Sequence, residues 1–88
     1  MNRTKLTPRQ LQHVDAAIWE ALDPNGAPIR LAEIVDNARG YIPDGVLAVA
    51  TWDFYSIISD GMQRMKHAGR VELQKGRGGG WRRIARPS

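Results

Sequence analysis

The residue types that usually carry catalysis are sparse in this chain. It has two histidines, His13 and His67, and no cysteine, and its acids form no pair that suggests a general acid and base or a metal cage. The glycine-rich residues 76–80 are similar to a phosphate-binding loop, but Trp81 stands where the GxGxxG pattern has its third glycine, and the context predicts a hairpin. We therefore predict a protein that is not an enzyme and that holds no metal and no cofactor.

The chemistry that the sequence offers is electrostatic. Of the 88 residues, 13 are Lys or Arg and 9 are Asp or Glu, which gives a formal net charge of +4. Residues 1–61 carry five basic and eight acidic side chains (−3), whereas residues 62–88 carry eight basic side chains and only Glu72 (+7). Such asymmetry is expected of a domain with one face for a polyanion, because clustered cations release counterions from a phosphate backbone. A solvated basic tail is the alternative interpretation.

Two groups of side chains are candidates for contacting double-stranded DNA. One group lies on the polar face of a predicted helix, where hydroxyl and amide groups could hydrogen-bond base edges and cations could hold phosphates. Its members are Ser56, Ser59, Gln63, Arg64 and Lys66. The other group surrounds a glycine-rich turn that allows the backbone to approach a duplex closely. Its members are Arg70, Lys75, Arg77, Arg82 and Arg83.

Neighbouring residues complicate both groups. Asp60 shares the polar helix face, where an acid repels phosphate unless it accepts a hydrogen bond from a cytosine amino group. Arg82 and Arg83 must point to opposite faces of a strand, so only one of them can be central to a given surface. If Ile84 is a core residue, Trp81 and Arg83 point outward. Trp81 would cover the hairpin or stack on a sugar, and simple packing is the favoured interpretation.

The first helix has a well-marked beginning. Thr7 is expected as the N-cap, and Gln10 completes a capping box. Apolar residues then recur at helical spacing until the Asp-Pro-Asn-Gly stretch at residues 23–26 stops the helix. Trp19 lies beside the centre of the apolar stripe, where we expect a residue at the edge of the core rather than a ligand platform.

The middle of the chain predicts one edge pairing and a second helix. Residues 28–30 are too short for an independent strand but suit a single pairing before a helix. Apolar spacing predicts the second helix from Leu31 to Ala38, with Gly40 as a left-handed cap. A short helical turn is expected near residues 46–50.

The third helix is expected from Trp52 to Ala68. Thr51 is the predicted N-cap, with an acid in the first turn, and Gly69 is the predicted end of the helix. An apolar line of Phe54, Ile58, Met62 and Met65 should face the core.

A β-hairpin is predicted after the third helix, because the apolar period changes from helical spacing to two. Residues 70–75 should pair with residues 81–85 across the glycine-rich turn. A chain of this length supports one modest core. We therefore expect a single domain at residues 7–85, between an N-terminal arm (1–6) and a C-terminal tail (86–88).

Helix, short strand, two helices and hairpin make the α+β arrangement of a winged helix-turn-helix domain. Residues 16–84 resemble the winged-helix modules that precede the nuclease domain in Mrr-type restriction endonucleases and, more loosely, small bacterial winged-helix regulators. The resemblance rests on the helix-end, glycine, strand signature of residues 62–72, on residues 77–84 and on the long segment 42–53. It implies a third helix in the major groove of DNA and a wing on the adjacent backbone, as in a transcriptional regulator or mobile-element protein.

Other functions fit the same charges. A protein-docking winged helix would place its basic face against an acidic partner protein, and an RNA or single-strand binder would use the same cations. No apolar run approaches the roughly 20 residues that span a bilayer, and the sequence shows neither a signal peptide nor a cysteine. We therefore expect a cytoplasmic protein without membrane contact.

Overall fold

The described part of the chain folds into three helices and one antiparallel hairpin. The computed structural model describes residues 6–43, 45–46 and 53–84. In chain order the elements are α1 (Pro8–Ala21), α2 (Leu31–Arg39), α3 (Phe54–His67), β1 (Val71–Gln74) and β2 (Gly80–Arg83). This layout confirms the predicted α+β fold class. The expected C-terminal tail, and most of the expected arm and of the turn near residues 46–50, lie outside the described residues.

The start of α1 has the predicted capping box. The Thr7 hydroxyl accepts from the Gln10 backbone N–H at 3.2 Å, and the Gln10 side chain accepts from the Thr7 N–H at 2.8 Å. The Gln10 amide group also donates to the Val46 carbonyl at 2.9 Å. The Gln10 side chain therefore caps α1 and hydrogen-bonds it to the loop that leads toward α3.

The single edge pairing before α2 is also confirmed. Ile29 and Trp81 exchange two backbone hydrogen bonds of 2.8 Å, so Ile29 flanks β2 on the side away from β1. The predicted left-handed cap at Gly40 is wrong, because its φ is −75°. The last turn tightens instead, with Gly40 N–H donating to the Asn37 carbonyl and Tyr41 N–H to the Ala38 carbonyl. These short-range bonds satisfy the helix end without a left-handed residue.

The third helix begins later than predicted, because Asp53 rather than Thr51 is its N-cap. The Asp53 carboxylate accepts from the Ser56 N–H at 2.8 Å. At the other end Gly69 has φ +75°, and Arg70 N–H donates to the Met65 carbonyl at 2.9 Å. This is the hydrogen bonding of a Schellman motif, which confirms Gly69 as the residue that ends the helix.

The core lies between the helices and the inner face of the hairpin. Val71 and Trp81 are 1% and 6% exposed, and the strand register pairs Val71 with Arg83 and Leu73 with Trp81. Trp81 and Arg83 therefore share the core-facing side, so the condition for an outward orientation, a core Ile84, is not met. Ile84 lies beyond β2 and is only half-buried. The indole of Trp81 removes more apolar area from water than Ile84 would, which favours the observed orientation.

Two glycines permit the close approaches that hold this arrangement together. A Cβ on Gly61 would lie 2.5 Å from the Ile18 Cδ1 atom and 3.2 Å from the Val14 Cγ1 atom, so buried side chains of α1 would have to shift to admit one. A Cβ on Gly80 would lie 2.7 Å from the backbone of Ile29. The position of α3 against α1, and of β2 against Ile29, therefore depends on the absence of a side chain at each crossing.

Candidate nucleic-acid interface

The exposed face of α3 carries several of the predicted polar residues. Ile58, Met62 and Met65 are buried, as the apolar line predicted, together with Ile57. A rotation of about 100° per residue places Gln63 opposite this face, with Ser59 and Lys66 beside it. Gln63 and Lys66 are exposed, and Ser59 is half-buried. These three side chains form one polar stripe, which we call the α3 stripe.

Ser56 lies on the same side of the helix but is occupied in its cap. Its backbone N–H and its hydroxyl donate to the two carboxylate oxygens of Asp53, at 2.8 and 2.9 Å. The hydroxyl proton is therefore used within the first turn. Ser56 retains only its acceptor capacity for a ligand.

Arg64 is also engaged within the protein. Its guanidinium forms an ion pair with Asp60, one turn earlier on α3, and donates to Asp15 of α1 at 2.8 Å. The three side chains are 31–46% exposed, so this pairing is partly screened by water. Arg64 therefore links α3 to α1, and the charge of Asp60 is balanced by a neighbour.

The tip of the hairpin is exposed and basic. Lys75 and Arg77 are both exposed, and they alternate with Gly76 and Gly78, which have φ of +103° and +70°. A Cβ built on either glycine would meet no atom of the described chain within 4 Å, apart from its sequence neighbours. Within the described chain neither Lys75 nor Arg77 has an ion-pair partner. These two cations, which we call the hairpin tip, are therefore available to an external anion.

The base of the hairpin uses its cations differently. Arg82 forms an ion pair with Glu72, its cross-strand neighbour in the register. The Arg83 guanidinium lies 4.4 Å from the centroid of the Trp19 ring, and its Nη2 donates to the Trp19 carbonyl. Arg70 lies over the same ring at 5.1 Å. We call these three arginines the hairpin base.

The ten predicted contact residues thus divide by their surroundings. Five side chains present free groups to solvent: Ser59, Gln63, Lys66, Lys75 and Arg77. Ser56, Arg64, Arg82 and Arg83 are engaged in the intramolecular contacts given above, and Arg70 stacks on an indole. The structure places the predicted residues on α3 and on the hairpin, but about half of them have a partner inside the protein.

Sequence reasoning missed two residues on these surfaces. Tyr55 is 52% exposed and lies one turn before Ser59, and that i, i+4 spacing was a usable signal. Trp19 packs at the edge of the core, as predicted, but it also carries two arginines on its ring. No local pattern could have indicated this contact, because Arg70 and Arg83 lie far along the chain from Trp19.

Among the described residues, no group of three or more His, Cys, Asp or Glu side chains is arranged to hold a metal ion. No helix in residues 6–43, 45–46 and 53–84 is long and apolar enough to cross a membrane.

Comparisons with protein-family models, with curated proteins and with solved structures gave no significant match to this chain.

Proposed function

We propose that this chain binds double-stranded DNA as a winged helix-turn-helix domain and has no catalytic activity of its own. On this proposal α3 enters the major groove and the hairpin acts as the wing on the adjacent backbone. The observation that carries the proposal is the hairpin tip, where Lys75 and Arg77 are exposed and free of acidic partners in the described chain. Free cations of this kind neutralise phosphates and release counterions.

The α3 stripe supports the same proposal. Gln63 is the side-chain type that forms bidentate hydrogen bonds to adenine, and Lys66 is a phosphate-binding type. The acid that made this face unfavourable, Asp60, is paired with Arg64 and so repels phosphate less strongly. A role as a cytoplasmic regulator or mobile-element protein is compatible with these properties and belongs to the same proposal.

A titration against double-stranded DNA of random sequence at two salt concentrations tests the proposal. If Lys66, Lys75 and Arg77 each contact a phosphate, log K should fall with log salt with a slope of at least about −2.7, since each contact contributes about 0.9. R9A removes one exposed charge from the first turn of α1 and should leave that slope unchanged.

Three competitors separate the proposal from its rivals. Unlabelled duplex should displace the bound duplex, whereas single-stranded DNA and an acidic protein should displace it only weakly. Tighter binding to the single strand would contradict duplex recognition. Binding to the acidic protein with no measurable DNA affinity would make the protein-docking function the correct one.

A further inference from the structure

An open groove of about 760 Å³ lies at the hairpin base, outside the surfaces proposed to meet DNA. It is bordered by the end of α1, by the loop between α1 and α2, and by the end of the hairpin opposite the glycine-rich turn. Trp19, Pro24 and Ile84 supply apolar surface, and Asn25 adds an amide. The volume falls in the range of small-molecule sites, about 300–1,000 Å³.

The charges around this groove select an anion. Arg70, Arg82 and Arg83 line it against a single carboxylate, Glu72, which leaves a formal charge of +2. A second groove, of about 370 Å³, shares Trp19 and Arg70 with the first and is also lined by two acids, Asp15 and Glu20, so its lining has a formal charge of −1. An anion is therefore favoured in the first groove over the second.

The three guanidiniums are not equally available. Arg83 holds the Trp19 carbonyl and ring, and its buried Nε has no hydrogen-bond partner among the described residues. Arg82 uses Nε and Nη2 on Glu72 and keeps its Nη1 donors. Arg70 has no carboxylate partner in the described chain, so its planar fork is the least satisfied cation of the groove.

We propose that this groove binds a small organic molecule with a phosphate monoester group. Arg70 holds the phosphate through its fork, Arg82 adds its remaining donors, and the apolar side chains cover the organic part. A dianionic phosphate matches the formal charge of the groove. Arg83 is a positioning residue that fixes the indole of Trp19. This binding does not depend on the proposed binding of DNA.

Phenyl phosphate is a suitable probe, and NMR of the Trp19 indole N–H and the Gly26 amide reports its binding. We expect saturable shifts with a Kd of about 1 mM or tighter. R70A should weaken binding at least about tenfold, because a charge-assisted hydrogen bond is lost. R9A removes the same charge outside the groove and should leave the Kd unchanged. R70K, which keeps the charge without the fork, should lie between the two.

Three outcomes would overturn the proposal. Shifts that never saturate, or equal weakening by R70A and R9A, would show a general attraction of anions to a basic protein. Displacement of phenyl phosphate by duplex DNA would show that the groove holds the backbone of DNA instead. Amide spectra of β1 and β2 confirm that R70A is folded. If the chain binds no DNA at all while phenyl phosphate still saturates, the DNA proposal fails and this one stands.

Discussion

The two ends of the hairpin carry cations in opposite situations. At the tip, Lys75 and Arg77 lie in solvent between glycines and lack acidic partners in the described chain. At the base, Arg82 is paired with Glu72 and Arg83 lies against Trp19. Both cations of the tip therefore carry free charge, whereas Arg82 and Arg83 of the base are engaged in structural contacts.

This difference shows why counting cations overstates a nucleic-acid surface. A guanidinium already beside a carboxylate has much of its charge offset, so it adds little counterion release when a phosphate arrives. Arg83 contributes instead by packing its stem and stacking on an indole, which are stabilising roles of arginine that need no anion. On our proposals the tip supplies affinity for DNA, Arg82 and Arg83 of the base supply stability, and Arg70 is the cation of the base that is left for a phosphate.

The largest effect should come from removing the hairpin tip. Lys75→Ala combined with Arg77→Ala should lower the salt slope by about 1.8 and weaken binding at about 0.1 M salt about 60-fold, since each lost contact is worth about 0.9 in the exponent. Its free energy of unfolding should change by less than about 0.5 kcal/mol, because both side chains are exposed. Unchanged affinity and slope would show that the tip does not contact DNA.

The base should show the reverse pattern. Arg83→Ala removes a cation–π contact and a charged hydrogen bond to the Trp19 carbonyl, and we expect a loss of about 2 kcal/mol in the free energy of unfolding, measured with urea. The salt slope for DNA should stay that of the parent under conditions where the variant is folded. Arg83→Lys keeps the charge but not the planar fork, and should recover less than half of the loss. A parent-like stability would refute the structural role.

Signals that act within one or two turns were predictable from the sequence. The capping box at Thr7, the end of α3 at Gly69 and the hairpin after it each depend on neighbours a few residues away. The cap of α3 shows the limit of such signals, because Thr and Asp are both good N-cap types and the cap lies at Asp53 rather than at the predicted Thr51.

Contacts between distant segments were not predictable. The expected orientation of Trp81 depended on a choice between two apolar residues, and the buried area of the larger ring decided it. Arg64 was assigned to phosphate by its type, but the packing of α1 against α3 places Asp15 beside it, 49 residues away in sequence. The candidate site was therefore predictable as a set of elements, and its individual cations were not.

Lys66 and Arg64 show the same contrast between a free and an engaged cation within one helix, α3. Removing either should have the smallest expected effects on DNA binding and stability. Lys66 is exposed without an ion-pair partner in the described chain, whereas Arg64 is paired with Asp60 and Asp15. Lys66→Ala should lower the salt slope by about 0.9 and weaken binding at about 0.1 M salt about eightfold, with no change in stability.

Arg64→Ala removes the same charge two residues away and is the matched control. The salt slope of this variant should change by much less than 0.9. Its free energy of unfolding should fall by only about 0.5 kcal/mol, because partly exposed ion pairs are weak. Asp60 loses its partner in this variant and would repel phosphate more strongly, so a small loss of affinity is compatible with an engaged arginine. Equal slope changes for the two variants would show that Arg64 leaves its carboxylates to bind DNA. In that case engagement in the free protein would not distinguish structural cations from binding ones, and the contrast between tip and base would lose its meaning for function.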